Sequence, residues 1–193
     1  MTLNDQDLRR VLLEELYLQY KDDKNTRIIN ELGIDHGASR VDVAVVNGII
    51  HGYEIKSDVD NLYRLPRQIS YYNKLFQRMT IVTTKKYYLK VREMVPPWWG
   101  ILIISNDGSR LICKRKGRYR NQQDKKILLK LLWKRDLEGL VDYANLPKSL
   151  KKKRKHYLLN YFEEYLDIKE VQNFVYTILK NRDYSSSTVN LKW

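Results

Sequence analysis

The stretch Val41-Asp42-Val43-Ala44-Val45-Val46-Asn47-Gly48-Ile49-Ile50-His51-Gly52-Tyr53-Glu54-Ile55-Lys56 decides the fold. Both arms are rich in β-branched residues, and they meet at Asn47-Gly48. Asn-Gly between such arms is the strongest short hairpin signal. Three charges interrupt the apolar pattern: Asp42, Glu54 and Lys56. A charge on a buried strand is costly unless it is paired or bound to a metal. The hairpin therefore poses a functional question as well as a structural one.

Side chains alternate along a strand, so Glu54 and Lys56 share a face while Ile55 points the other way. Asp42 must join that face for the three to act together. A plain two-residue loop pairs Val46 with Ile49 and sets Asp42 opposite Tyr53, on the wrong face. A three-residue loop, Val46 to Gly48 with Gly48 left-handed, pairs Val45 with Ile49. Asp42 then lies opposite Gly52 and diagonal to Glu54 on the same face. A bulge at Gly52 has the same effect. We expect one such one-residue correction.

Working outward, Asn4 or Asp5 caps a first helix running to about Tyr20, with Leu12, Leu13 and Leu16 facing inward. A second short helix is expected from Thr26, with Ile28, Ile29 and Leu32 apolar and Gly33 as its stop. Glu31 would lie in its last turn, the unfavourable end of the helix dipole for a carboxylate. A solvated surface glutamate is the plain alternative for Glu31. Residues 34–40 form a loop into the hairpin. After Lys56, Ser57 to Asp60 are capping residues and a helix runs to Phe76, with Pro66 in its first turn. Gln68 and Tyr72 are four apart and stack on one side. Strands are expected over 79–84, 99–105 and 110–114, with a helix over 85–95 ended by Pro96-Pro97.

The pattern changes past Lys116. Helices are expected over 124–141, 151–166 and the segment containing Val171 to Leu179, with no further strand. Ser185 to Trp193 reads as a loose tail. The organisation is thus an α/β core over 1–118, a basic helical extension over 119–184, and a tail over 185–193.

Composition narrows the functional classes. Hydrophobic residues make up 43% of the 193 positions, enough to bury a core. The net charge is +13, which points to a polyanionic partner, nucleic acid before anionic membrane. One cysteine, Cys113, excludes an internal disulfide and a cysteine-based zinc site and fits a reducing compartment. The N-terminus lacks a signal-peptide pattern and no apolar run is long enough to span a bilayer, so a soluble, cytoplasmic protein with no membrane partner is expected. His36, His51 and His156 are scattered and make no metal spacing. Neither a Gly-x-Ser-x-Gly elbow nor a phosphate-binding Gly-x-x-x-x-Gly-Lys loop occurs.

An acid followed two residues later by lysine is common. It recurs at Asp22-Asp23-Lys24, Asp124-Lys125-Lys126 and Asp167-Ile168-Lys169, in polar turns or helices where a solvated pair is the default. Glu54-Ile55-Lys56 differs in lying on an apolar strand with Asp42 across a tight turn. A structural ion pair is the competing explanation. Hard cations such as Mg²⁺ (or Mn²⁺) take oxygen ligands and keep several waters. Asp42, Glu54 and the main-chain carbonyl of Ile55 supply such a set. Lys56 beside it can orient a water and stabilise developing negative charge.

At these residues the chain resembles the PD-(D/E)XK nuclease superfamily: Asp42, then Glu54-Ile55-Lys56 on the adjoining strand. More narrowly, Glu31-Leu32-Gly33, His36-Gly37, Arg40-Val41-Asp42-Val43-Ala44, His51 to Asp58, Arg64 to Gln68, Tyr72-Asn73 and Trp98-Trp99-Gly100 resemble a small family of bacterial and phage proteins assigned to it. Leu131-Leu132-Trp133 lies near the end of the match, which covers about residues 25–135. The resemblance implies a restriction-endonuclease-like αβββαβ core with one strand reduced or displaced. It implies Asp42, Glu54 and Lys56 as the catalytic set, with Glu31 and Gln68 as accessory active-site residues. The superfamily's proline before the aspartate is replaced by Val41.

Two basic segments complete the reading. Lys114, Arg115, Lys116, Arg118 and Arg120 surround Tyr119, and Lys151, Lys152, Lys153, Arg154 and Lys155 form a run. Cations offset phosphate charge and interleaved aromatics stack bases. A solvated helix face is the alternative. The expectation is a Mg²⁺- or Mn²⁺-dependent nuclease hydrolysing phosphodiester bonds in DNA. Its rivals are a non-catalytic nucleic-acid-binding protein on the same fold and a phage–host interaction module.

Overall fold

The computed structural model describes residues 2–34 and 39–184. His36, Gly37 and the expected tail lie outside the described residues. Helix α1 (Asp5–Tyr20) is followed by β1 (Arg27–Ile34), β2 (Ser39–Val46), β3 (Ile50–Lys56), α2 (Leu65–Leu75), β4 (Arg78–Thr83), α3 (Tyr88–Met94), β5 (Gly100–Ile104) and β6 (Leu111–Arg115). The strands form one mixed sheet in sequential order. β1, β2 and β3 pair antiparallel, β3, β4 and β5 pair parallel, and β6 returns antiparallel. Then come α4 (Lys125–Leu129), α5 (Lys134–Tyr143), a 3₁₀ turn (Lys148–Lys152), α6 (Lys155–Tyr165) and α7 (Ile168–Asn181).

Helix α1 begins at a reciprocal cap. Asn4 Oδ1 accepts from Asp7 N at 3.1 Å, and Asp7 Oδ2 accepts from Asn4 N at 2.9 Å. Its buried side chains Leu8, Val11, Leu12, Leu13 and Leu16 cover one face of the sheet, against Val43, Val45, Tyr53, Ile55 and Val82. The other face carries a larger cluster that runs from Ile29 through Tyr72, Phe76 and Trp99 to Leu128, Phe162 and Leu179. The C-terminal helices therefore extend the core that α2 begins. Polar contacts reinforce the join: Tyr176 Oη lies 2.7 Å from Gln77 Oε1, and Gln123 Nε2 donates to the Leu75 carbonyl at 2.5 Å.

Three sequence expectations need correction. Residues 27–34 are a strand, not a helix. Ile28, Ile29 and Leu32 fit either period over so short a run, but the isoleucines suit a pleated surface and β2 supplies the hydrogen-bond partner. The helix expected over 124–141 breaks into α4 and α5 at residues 130–133, and the one expected from Lys151 starts at Lys155 after the 3₁₀ turn. The hairpin loop does have three residues, with Gly48 left-handed at φ +65°, but it comprises residues 47–49 and pairs Val46 with Ile50. The register is shifted from the expected one by two residues on β3, with Val45 opposite His51 in place of Ile49. Continuing it sets Asp42 opposite Glu54 itself.

Candidate active site

Three acidic residues fall in one row across three strands. β1 and β2 pair Asn30 with Val43 and Leu32 with Val41, which aligns Glu31 with Asp42. The β2–β3 register then aligns Asp42 with Glu54. The pleat breaks on β1 and on β2 at this row. Glu31 has φ +56°, a conformation disfavoured for a residue with a Cβ. Ile29, Leu32 and Ile34 all join the larger cluster, which strict alternation forbids. On β2, Val41 joins that cluster while Val43 and Val45 join the smaller one. At this break the Asp42 carboxylate meets both the Ile55 amide of β3 and Arg9 of α1.

The Asp42 carboxylate is held from two sides. Its Oδ2 accepts the Ile55 amide at 2.7 Å, and its Oδ1 lies 3.2 Å from Arg9 Nη2. Burial, and then the nearby Glu54 carboxylate, push Asp42 up to about 7. The Ile55 amide, Arg9 and Lys56 pull the other way and do not cancel that rise.

Glu54 is 1% exposed and hydrogen-bonded through both oxygens. Its Oε1 accepts from Lys56 Nζ and, at 2.6 Å, from Gln68 Nε2. Its Oε2 lies 2.7 Å from Tyr72 Oη, which is also 2.6 Å from the Arg40 carbonyl. Burial and the Glu54 charge raise the Tyr72 phenol well above its ordinary range, so it stays a neutral donor. Helix α2 starts at Leu65, with Pro66 in its first turn, and presents Gln68 and Tyr72 one turn apart, which brings both to the end of β3. Gln68 Oε1 is buried with no hydrogen-bond partner in the protein. A cavity of about 330 Å³ opens here, lined by Glu31, Arg40, Asp42, Glu54, Lys56 and Gln68 among others. A larger cavity, about 610 Å³, sits on the β5–β6 turn, where Ser105, Asp107 and Ser109 satisfy one another. The chemistry belongs to the smaller one, because it gathers carboxylates, a lysine and an amide.

The model of the family described as bacteriophage P4 protein cII matches residues 1–192. The chain belongs to that family. It is 30% identical over 187 residues to Protein cII of Enterobacteria phage P4, covering 96% of this chain and 70% of that protein. Among solved structures, a protein of unknown function from Silicibacter pomeroyi matches with a TM-score of 0.47 at 19% identity, over 68% of this chain and 86% of that one.

In this cII-family chain the five expected site residues, Asp42, Glu54, Lys56, Glu31 and Gln68, all line the one cavity, and Ile55 lines it too. Among the described residues no group of three or more His, Cys, Asp or Glu side chains is arranged around a common metal position. Any cation there would take two carboxylates at most and complete its shell with a carbonyl, waters or substrate oxygens. Arg9 is the contributor that sequence reasoning missed. Its signal was faint: a charged residue one turn after Asp5, beside the buried Leu8 and Leu12. Arg40 also reaches the site, at 3.3 Å from Glu31 Oε2. His51 does not. It bonds Thr80 Oγ1 at 2.9 Å and Tyr53 Oη at 3.1 Å, and burial pushes it down to about 3, so it is a neutral part of the sheet.

The structure does not bring the 114–120 segment to the cavity. Arg120 N donates to the Gln77 carbonyl at 2.8 Å and Arg118 N to the Trp98 carbonyl at 2.8 Å, which fixes this segment at the start of β4 and β5. The cavity lies at the other end of the parallel strands, a β3 length away, roughly 20 Å at ~3.3 Å per residue. Arg115 is spent on the Trp99 and Pro96 carbonyls at 2.7 and 3.0 Å. Arg118 reaches the Pro97 carbonyl, and Arg120 stacks over Trp98 at 5.0 Å. Lys114 and Lys116 are exposed. In the second run, Lys151 pairs with Asp142 at 2.5 Å, Lys153 lies over Tyr157, and Lys152 and Arg154 are exposed. Burial lowers the Lys155 pKa. The other three acid-x-Lys motifs are local structure: Asp124 and Asp167 cap α4 and α7, and Asp22 is exposed in a turn. No helix among the described residues is long and apolar enough to cross a membrane.

Proposed function

We propose that this chain is a divalent-cation-dependent nuclease of PD-(D/E)XK type that hydrolyses phosphodiester bonds in DNA. The observation that carries the reading is the convergence of Asp42, Glu54, Lys56 and Gln68 on one cavity at the end of β3. The element order α1-β1-β2-β3-α2-β4 supports it as well, because it matches the αβββαβ order expected of that superfamily.

The donor set suits a hard cation such as Mg²⁺ or Mn²⁺. Burial, and then the Glu54 charge, raise Asp42 to about 7, and a divalent ion bound between the two carboxylates would favour their ionised forms. Asp42, Glu54 and the Ile55 carbonyl would hold it. Bound there, it would acidify a coordinated water and screen the phosphodiester charge. The chain's own groups do the rest. Gln68 and Tyr72 fix the two oxygens of Glu54. The Ile55 amide and Arg9 fix those of Asp42. Lys56, held against Glu54, orients the attacking water and donates to the charge that develops on the phosphate.

The test is cleavage by purified protein with Mg²⁺ or Mn²⁺, on single- and double-stranded DNA and on RNA, with chelator as control. DNA should be cut and chelator should stop it. Lys56→Ala should lose cleavage and keep most binding, because Lys56 serves the transition state more than the ground state. Asp42→Asn should lose cleavage without losing DNA affinity. Tight binding with no cleavage of any substrate would favour a non-catalytic binding protein. Variants that cut as well as wild type would move the active site elsewhere.

A further inference from the structure

Arg9 lies on α1, across the sheet from α2, yet its guanidinium reaches the acidic row. Nη2 is 2.8 Å from Glu31 Oε1 and 3.2 Å from Asp42 Oδ1. Nη1 donates to the Asp42 carbonyl at 2.9 Å, and Nε lies 3.1 Å from Asp5 Oδ2. The side chain is 19% exposed. Carboxylates from α1, β1 and β2 thus converge on one fixed positive charge. Its planar fork is always protonated and meets several acceptors at once, which a lysine or a mobile ion cannot do in the same way.

The position matters more than the charge alone. Nη2 bridges two carboxylates from adjacent strands, and this is where an ion shared by Glu31 and Asp42 would sit. Glu31 is turned toward it by the left-handed backbone at φ +56°. Its second oxygen is taken by Arg40 at 3.3 Å. Both Glu31 oxygens are therefore held by arginines, while Glu54 lies on the far side of Asp42 with Lys56, Gln68 and Tyr72.

We propose that Arg9 is a resident counter-cation filling the place of a second divalent ion between Glu31 and Asp42, so that the site takes one divalent ion, on its Asp42–Glu54 side. This rests on the nuclease reading above. Glu31 is then a positioning residue that anchors Arg9, and not a metal ligand.

Counting Mn²⁺ per chain tests this, by titration calorimetry together with the loss of free-Mn²⁺ paramagnetic signal. Wild type should bind one ion. Arg9→Gln should bind two, and Arg9→Gln with Glu31→Gln should return to one, because the second ion needs Glu31. Arg9→Lys should keep the count at one. Two ions in wild type, or one in a folded Arg9→Gln, would overturn the inference and leave the nuclease reading standing. No ion in wild type would remove both. If Arg9→Gln does not fold, wild type and Arg9→Lys decide: one ion in both supports the inference, two in either overturns it.

Discussion

The Asp42 carboxylate accepts the backbone amide of Ile55 at 2.7 Å. This bond ties β2 to β3 where their acidic residues align, and it holds Asp42 beside Glu54 despite their repulsion. The consequence is a pH-dependent fold. A carboxyl whose folded pKa is raised binds its proton more tightly folded than unfolded. Its contribution is present at low pH and lost as pH rises from the unfolded value, 3.8, through about 7. In chelator, thermal stability should fall over that window, by an amount on the order of a few kcal/mol. Asp42→Asn should flatten the slope, since its amide oxygen still accepts from Ile55 and its charge is gone. Melting curves of both proteins from pH 4 to pH 8 check this, and an unchanged slope in the variant would assign it to another group.

Tyr72 links Glu54 to the Arg40 carbonyl from a fully buried position. Tyr72→Phe keeps the ring packed against Phe76 and Trp99 but strips one oxygen of its donor. We expect a loss of roughly 1–3 kcal/mol, read as a lower melting temperature, and a fall in cleavage. Stability equal to wild type would mean that water replaces the hydroxyl.

Glu31 combines an unfavourable backbone with two ion pairs. Glu31→Gly relieves about 1 kcal/mol of backbone strain and loses partly exposed pairs of similar worth. Denaturation should show near-wild-type stability while cleavage drops. A stable variant with full activity would make Glu31 irrelevant to the site.

The basic runs call for a comparison of binding with turnover. Reversing charge at Lys151, Lys152 and Lys153 should weaken DNA binding regardless of sequence and flatten its salt dependence, as loss of phosphate contacts does. Turnover at saturating DNA should be unchanged, because none of the three lines the cavity. Arg115→Ala should instead lower the melting temperature, since its guanidinium ties β6 to the Trp99 and Pro96 carbonyls. Unchanged affinity and salt slope in the triple variant would make the run a solvated face.

The hairpin was legible because its determinants are local. Strand alternation and Asn-Gly turn chemistry act over a few residues, so a three-residue loop followed from parity alone. The exact register did not. Two three-residue loops differ by a shift that only pairing with β4 and packing on both faces decide. Gln68 and Tyr72 were legible as neighbours by helical spacing, but not the fact that they grip opposite oxygens of Glu54.

Tertiary structure decided the rest. Residues 27–34 have an apolar spacing that serves helix or strand, and β2 settled it by supplying backbone partners. Arg9 stands 33 positions from Asp42, and nothing local marks a contact that exists because α1 packs across the sheet. The basic segments were plain in the sequence as charge. Where residues 114–120 lie depends on strand direction: the parallel strands put their C-terminal ends at the cavity and their starts, with this segment, at the opposite edge. Composition and short-range periodicity record what each segment prefers. Which segments meet is set by long-range pairing and burial, and the site is made of such meetings.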